Sequence, residues 1–503
     1  MNYKLLGKIL GKIMILESIL MLFPLIVSLI YQESFKYQLA FIIPIAALAL
    51  IGGLLQIIKP ERTSLYQKEG FALVGLVWII MTVFGAIPFV VNGDIPNYIN
   101  ACFEIMSGFT TTGASILEDP SVLAFSSLFW RSFSHWIGGM GILVFVLIFI
   151  PESNDGSSMH LLRAESPGPQ VGKIASKMKV TARILYLIYL CLTVLEIIIL
   201  TCGPLIDYQA LFEATGRDFS GNKFFYALLT SFGTAGTGGF GFIPNSMEFM
   251  TPFAQYTISI FLIFFACNFG LYYLILIGKI KEIFKSEEFI TYLILLVSSV
   301  GLICFNICTK VGYGFEEGFR HSLFQVASIV STCGYSTVDF NLWPSVSKMV
   351  LVILMFTGGM AGSTAGGIKL SRIVIAIKGI YVNIRKLINP RYVPKTKFEG
   401  KILEEKTTTD VFSFISLYSF VLILVTFILS FDPKGYDFTT NFTATLSCLS
   451  NIGPGIGEVV GPYGNFAGFG WFSKIILIFT MLIGRLEILP VLILFTPRTW
   501  KKV

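Results

Sequence analysis

Four times along this chain, a long apolar stretch leads into a shorter half-apolar segment, a glycine-bearing tip and a second long apolar stretch. Runs of about 18 or more apolar residues are long enough to cross roughly 30 Å of hydrocarbon as helices. The shorter segments are not, and the stretches that flank them return each one to the side it started from. Non-helical backbone at membrane depth is tolerated only where protein or a water-filled cavity surrounds its polar groups. Four tips meeting around one axis would meet that condition. The expected fold is an all-α polytopic membrane protein of four pseudo-repeated helix–reentrant pore loop–helix units around one pore. Composition agrees, with 54% hydrophobic and 13% charged residues and a mean hydropathy of +0.76, against about a quarter charged in soluble domains.

The boundaries follow from the apolar runs. A helix pair at 9–30 and 38–58 forms a leading segment, residues 1–62, before the first repeat. The first pore unit (63–155) places helices at 70–92 and 123–150 around the short segment 99–110 and the tip Thr111-Thr112-Gly113. The second (156–285) has helices at 183–203 and 252–278, the segment 222–236 and the tip Thr237-Gly238-Gly239. The third (286–406) has a helix at 288–309, the segment 318–331, the tip Thr332-Cys333-Gly334, and a helix starting near 344 that runs into a cytoplasmic basic segment. The fourth (407–503) has helices at 410–430 and 470–495, the segment 439–450 and the tip Asn451-Ile452-Gly453. A small residue stands six positions before each tip glycine: Ser107, Gly233, Ser328 and Ser447. Five positions after, three units carry an acid, Glu118, Asp339 and Glu458, which are expected to line an outer vestibule; Asn245 stands one place later in the second. Trp130, Trp343 and Trp471 fall near the outer start of the second helices, where an aromatic belt is expected.

Of the 37 lysines and arginines, 27 lie in 1–12, 59–68, 151–183, 279–285, 369–406 and 498–503. These segments all fall on one side of the predicted topology, so the positive-inside rule places both termini and 369–406 in the cytoplasm. Topology accounts for the basic balance without a nucleic-acid partner. The basic start followed by an apolar stretch resembles a signal peptide, but it lacks a small-residue cleavage site and Glu17 interrupts it, which favours a retained helix. The eight cysteines scatter through apolar runs and read as small apolar fillers; Cys304 and Cys308 share a helix face without other ligands at metal spacing.

Thr332-Cys333-Gly334-Tyr335 has the T-x-G-Y pattern of a potassium-channel filter, in which backbone carbonyls replace an ion's hydration shell. Glycine supplies the φ/ψ values such a strand needs. Glycines also let helices pack closely, and Gly138, Gly139 and Gly141 read that way. Packing does not explain four tips at equivalent places. Gly236 to Gly241 matches G-x-G-x-x-G but follows no strand, so the match is accidental.

The helix from 344 meets Thr357 to Gly367, a run too rich in small residues for a comfortable helix interior. It reads as an unwound gate loop below the tips, built from Gly358, Gly359, Gly362, Ser363, Thr364, Gly366 and Gly367; a kinked packing helix is the alternative. Arg485 lies inside the last helix, and a buried arginine there is costly unless paired or wet. It forms either a structural pair with Glu487 or Glu196, or a positive charge in the inner pore that holds the gate loop or repels cations.

These features together resemble the Trk/Ktr/HKT superfamily of potassium transporters, most closely the bacterial TrkH type. The resemblance rests on the four tips, on R-S-F-S-H-W-I-G-G-M-G-I (131–142), on G-G-M-A-G-S-T-A-G-G-I-K (358–369) and on I-G-R-L-E (483–487). It implies K⁺ uptake through the twelve tip residues, with K⁺ as bound and transported ion and no cofactor in this chain. It further implies a homodimer with one pore per subunit in the bacterial inner membrane, Arg485 facing the pore, and a cytoplasmic TrkA-like nucleotide-binding subunit as partner. The fourth tip, with Asn451 and Pro454, departs furthest from the pattern, which puts its carbonyl geometry in question.

Three other readings compete. A less selective Na⁺/K⁺ transporter of the same superfamily shares every motif, although glycine at all four filter positions favours potassium by resemblance. A secondary transporter would be expected to show inverted halves and buried carboxylates. An enzyme would need partners for His135, read as the only membrane-buried histidine, and none stands near it in the sequence.

Overall fold

The computed structural model describes residues 1–60, 66–141, 178–216, 222–389, 391 and 395–500. Among these, six helices are long and apolar enough to cross a membrane: Tyr3–Ile30, Phe35–Gln56, Glu69–Asn92, Val180–Cys202, Glu287–Lys310 and Glu405–Leu429. The protein is therefore an integral membrane protein.

The leading pair packs through two glycines, because a bare Cα lets backbones approach. A Cβ built on Gly11 would stand 2.8 Å from the Gly52 carbonyl oxygen, and one on Gly52 would stand 2.8 Å from that of Gly11. Gly52→Leu should accordingly lower stability by about 1–3 kcal/mol through overpacking, read as an earlier thermal unfolding in detergent.

Each unit then repeats outer helix, pore helix and inner helix. The pore helices are Tyr98–Phe109, Lys223–Gly236, Phe315–Val330 and Phe438–Ser450, within three residues of the segments expected from hydropathy. Three begin at a side-chain cap, where Asn97, Asn222 and Asp437 accept from backbone N–H groups of the first turn. The inner helices start at Phe125, Pro252, Ser345 and Trp471, each after an extended residue with φ near −60° and ψ between 152° and 158°.

The inner helices depart from expectation. Only the third was expected to be interrupted, yet the others stop short as well. The first ends at Gly139, and Gly141 follows with φ +79°; the expected remainder, 142–150, lies outside the described residues. The second bends by 89° between Pro252–Phe265 and Phe269–Leu276. The fourth breaks at Glu487 and Ile488, both at positive φ.

Two tryptophans expected in a belt are instead core residues. Trp130 is buried and its indole N–H donates to Gly85 O at 3.0 Å, and Trp343 is buried too; only Trp471 is exposed. His321 is also buried, its Nδ1 2.8 Å from the Thr337 hydroxyl, so His135 is not alone. The all-α expectation needs one small amendment, a hairpin of Lys397–Phe398 and Lys401–Ile402 within the basic segment.

Candidate ion pathway

All four pore helices end the same way. A non-glycine residue takes the left-handed conformation, Thr111 (φ +53°), Thr237 (+52°), Thr332 (+58°) and Asn451 (+56°), and two residues on comes a glycine at positive φ: Gly113, Gly239, Gly334 and Gly453. The residue between them donates its N–H back into the helix: Thr112 to Ser107 O, Gly238 to Gly233 O, Cys333 to Ser328 O and Ile452 to Ser447 O, at 2.8–2.9 Å. The fourth tip thus keeps the shared backbone path despite its sequence. Asparagine tolerates the left-handed region better than most residues, and its amide donates at 2.9 Å to both the Thr112 hydroxyl and Met481 O.

The tips close into a ring. A Cβ on Gly113 would overlap the Gly238 carbonyl oxygen, one on Gly239 that of Cys333, and one on Gly334 that of Ile452; one on Gly453 would stand 2.8 Å from that of Thr112. Each glycine therefore faces the carbonyl of the next unit, and the fourth faces the first. Three of the four small residues six positions earlier have a steric or polar cause. Ser328 and Ser447 hydroxyls donate to Tyr335 O at 2.7 Å and Gly453 O at 2.6 Å. Gly233 leaves room for the Tyr335 ring, whose hydroxyl would overlap a Cβ there.

Side chains outside the ring join one tip to the next. His135 places Nδ1 2.8 Å from Gly108 O and accepts from Phe240 N–H at Nε2, 3.2 Å, so the proton sits on Nδ1. Arg131 pairs with Glu104 at 2.6 Å, donates to Gly241 O at 2.6 Å and Ser115 Oγ at 3.1 Å, and lies 3.7 Å over the Phe240 ring. Glu104 also accepts from Ile116 N–H at 2.9 Å. The sequence signal for this pair is a glutamate inside a short half-apolar segment and an arginine in the apolar helix that follows.

The 357–367 segment is unwound. It has positive φ at Gly358, Gly362 and Gly367, and it touches the third tip, where Gly366 N–H donates to the Thr332 hydroxyl at 2.6 Å. It is laced into the bend of the second inner helix: Met360 N–H donates to Ala266 O and Phe269 N–H to Gly362 O, both at 3.0 Å. Ser363 turns its hydroxyl onto Met360 O, and Thr364 reaches Phe265 O at 3.1 Å. Gly359 leaves only 3.0 Å between a built Cβ and Ala266 O.

Arg485 reaches backbone carbonyls and a tip hydroxyl. Its guanidinium donates to the carbonyls of Gly138, Gly139 (2.7 Å) and Thr364 (3.1 Å) and to the Thr111 hydroxyl (3.3 Å). It thereby joins the first inner helix, the first tip and the unwound segment. Glu487 instead takes a forked pair from Arg372, at 2.5 and 2.8 Å.

The three acids grouped by spacing are not equivalent. Glu118 and Glu458 are exposed, whereas Asp339 caps a short 3₁₀ turn by accepting from Asn341 N–H at 2.9 Å. Its structural counterpart in the first unit is Asp119, which accepts from Ser121 N–H at 2.9 Å.

The fold and site together define a helical membrane protein whose four glycine-bearing tips contact one another in a closed ring. A family model described as TrkH, cation transport protein, matches residues 38–502, and the chain belongs to that family. It is 34% identical to the Trk system potassium uptake protein TrkH of Salmonella typhimurium and 32% identical to that of Escherichia coli K12, over the full length of each. Its structure superposes on the crystal structure of the potassium transporter TrkH from Vibrio parahaemolyticus with a TM-score of 0.84, at 29% identity and full coverage of both chains.

Proposed function

We propose that this protein takes up potassium ions through a channel-like selective pore along the axis of the four tips. The closed ring supports the reading: the carbonyl oxygens of residues 112, 238, 333 and 452 each come up against the tip glycine of a neighbouring unit, and backbone carbonyls are the groups that replace an ion's hydration shell in a filter. The ion itself is suggested by the potassium uptake named for the relatives. Glu118, Asp339 and Glu458 gather cations at the outer mouth. The membrane potential supplies about 2.3 kcal/mol per charge per 100 mV.

The 357–367 loop acts as the gate and Arg485 as its latch, because the arginine joins Thr364 O to the first tip's Thr111 and to the Gly138–Gly139 carbonyls. A TrkA-like nucleotide-binding subunit on the cytoplasmic side sets the gate, so nucleotide binds the partner. The assembly is a homodimer in the bacterial inner membrane with both termini cytoplasmic.

Ion-replacement flux in proteoliposomes tests the reading: K⁺ should permeate in strong preference to Na⁺, and absence of K⁺ flux with the regulatory subunit present sinks it. In the same assay, Arg485→Gln should raise basal K⁺ flux about tenfold, the effect of losing charge-assisted hydrogen bonds that hold the closed loop.

A further inference from the structure

The hairpin at Lys397–Ile402 was not legible in the sequence, and its turn is unusual. Register pairs Phe398 with Lys401, leaving Glu399-Gly400 as a two-residue turn with φ +51° and +70°. Such turns favour Asn-Gly or Asp-Gly because both residues need positive φ. A glutamate there sits in a conformation that costs energy without an outside contact to hold it.

The outside contact is present. Glu399 Oε1 accepts from Ser286 Oγ at 2.9 Å and from Glu288 N–H at 3.0 Å, at the first turn of the third outer helix. A carboxylate is favoured at that end of a helix. The Glu288 side chain points the other way. Buried, its Oε1 accepts from Ala361 N–H at 2.8 Å, inside the unwound loop, and from Ser371 N–H at 3.2 Å, just beyond it. The helix leaving the loop, Leu370–Ile388, returns to the hairpin through Lys378, which reaches Glu287 at 2.5 Å and Lys397 O at 3.1 Å. Phe398 anchors the hairpin in a small apolar cluster with Ile375, Ala376 and Val411.

We infer that the hairpin is a cytoplasmic handle on the intramembrane loop, with Glu399 and Glu288 as positioning residues that transmit its position to Ala361 and Ser371. The inference rests on the gate reading above only for its consequence in flux. Tension on the hairpin shifts the helix start that orients Glu288, and Glu288 holds both sides of the loop.

The experiment uses the full chain in nanodiscs. Glu399→Asn keeps, and locally favours, the turn but is too short to reach Ser286 and Glu288. Hydrogen exchange at the Ala361 and Ser371 amides should speed about tenfold, with the global melting temperature unchanged. Glu399→Gln, which still reaches, should restore slow exchange. Glu288→Ala should speed the same amides, and the double variant should go no further than Glu288→Ala alone. Unchanged exchange in Glu399→Asn beside fast exchange in Glu288→Ala overturns the inference, as do additive effects. Faster exchange without altered potassium flux upholds the linkage and counts against the loop as gate.

Discussion

Gly334→Ser should abolish most K⁺ over Na⁺ discrimination, and Gly334→Ala should do nearly as much. Gly334 holds φ +87°, where a side chain is disfavoured. A Cβ there would also overlap the Ile452 carbonyl oxygen and lie 2.6 Å from Pro454 Cδ. Neither neighbour is a flexible side-chain end, so the ring itself must shift, and the Ile452 carbonyl is one of its four oxygens. The ring geometry adds a graded expectation. Gly113→Ala and Gly239→Ala meet a carbonyl oxygen as squarely as Gly334→Ala does. At Gly453 the nearest atom, Thr112 O, stands 2.8 Å away, so Gly453→Ala should erode selectivity least. Ion-replacement flux across the four single variants checks the order. Equal selectivity in all four and the parent would remove the ring from the pathway.

How much of this was readable beforehand varied by element. The four tips were legible because a short segment, a glycine and a small residue six positions earlier recur in register, and a local backbone path has local causes. The identity of their neighbours was not, since no local pattern tells that Gly334 faces unit four or that Gly233 seats Tyr335. The break at Ala266–Asn268 contains neither glycine nor proline and is held by distant partners, Met360 and Gly362. The break at Glu487–Ile488 has a local signal in Pro490, which lacks the N–H that would donate to Leu486 O, and a distant partner in Arg372, which pairs with Glu487. Apolar periodicity likewise could not tell Trp130, turned inward onto Gly85 O, from Trp471, turned outward. The hairpin was hidden inside a charged stretch whose composition signalled only sidedness.

Arg131→Met should cost about 3–5 kcal/mol of stability, the expected penalty for leaving one member of a buried ion pair uncompensated. Both Arg131 and Glu104 are almost wholly buried, so water cannot replace the lost partner. Glu104→Gln should also be destabilising, because its one amide oxygen can accept from both Ser115 Oγ and Ile116 N–H only in the Oε2 place, which sets the amide NH2 against Arg131 Nε and leaves the arginine without its counter-charge. The double variant Glu104→Gln/Arg131→Met should recover part of the arginine variant's loss, and thermal unfolding of the four proteins measures that coupling. A purely structural pair would stop there. This pair does not, because Ser115 and Ile116 follow the first tip and Phe240 and Gly241 follow the second, and the guanidinium touches Ser115, Phe240 and Gly241. Loosening it frees two adjacent quarters of the ring relative to each other. Potassium binding to the Glu104→Gln protein that remains folded should therefore weaken, and calorimetric titration at a temperature well below its unfolding distinguishes that effect from lost stability.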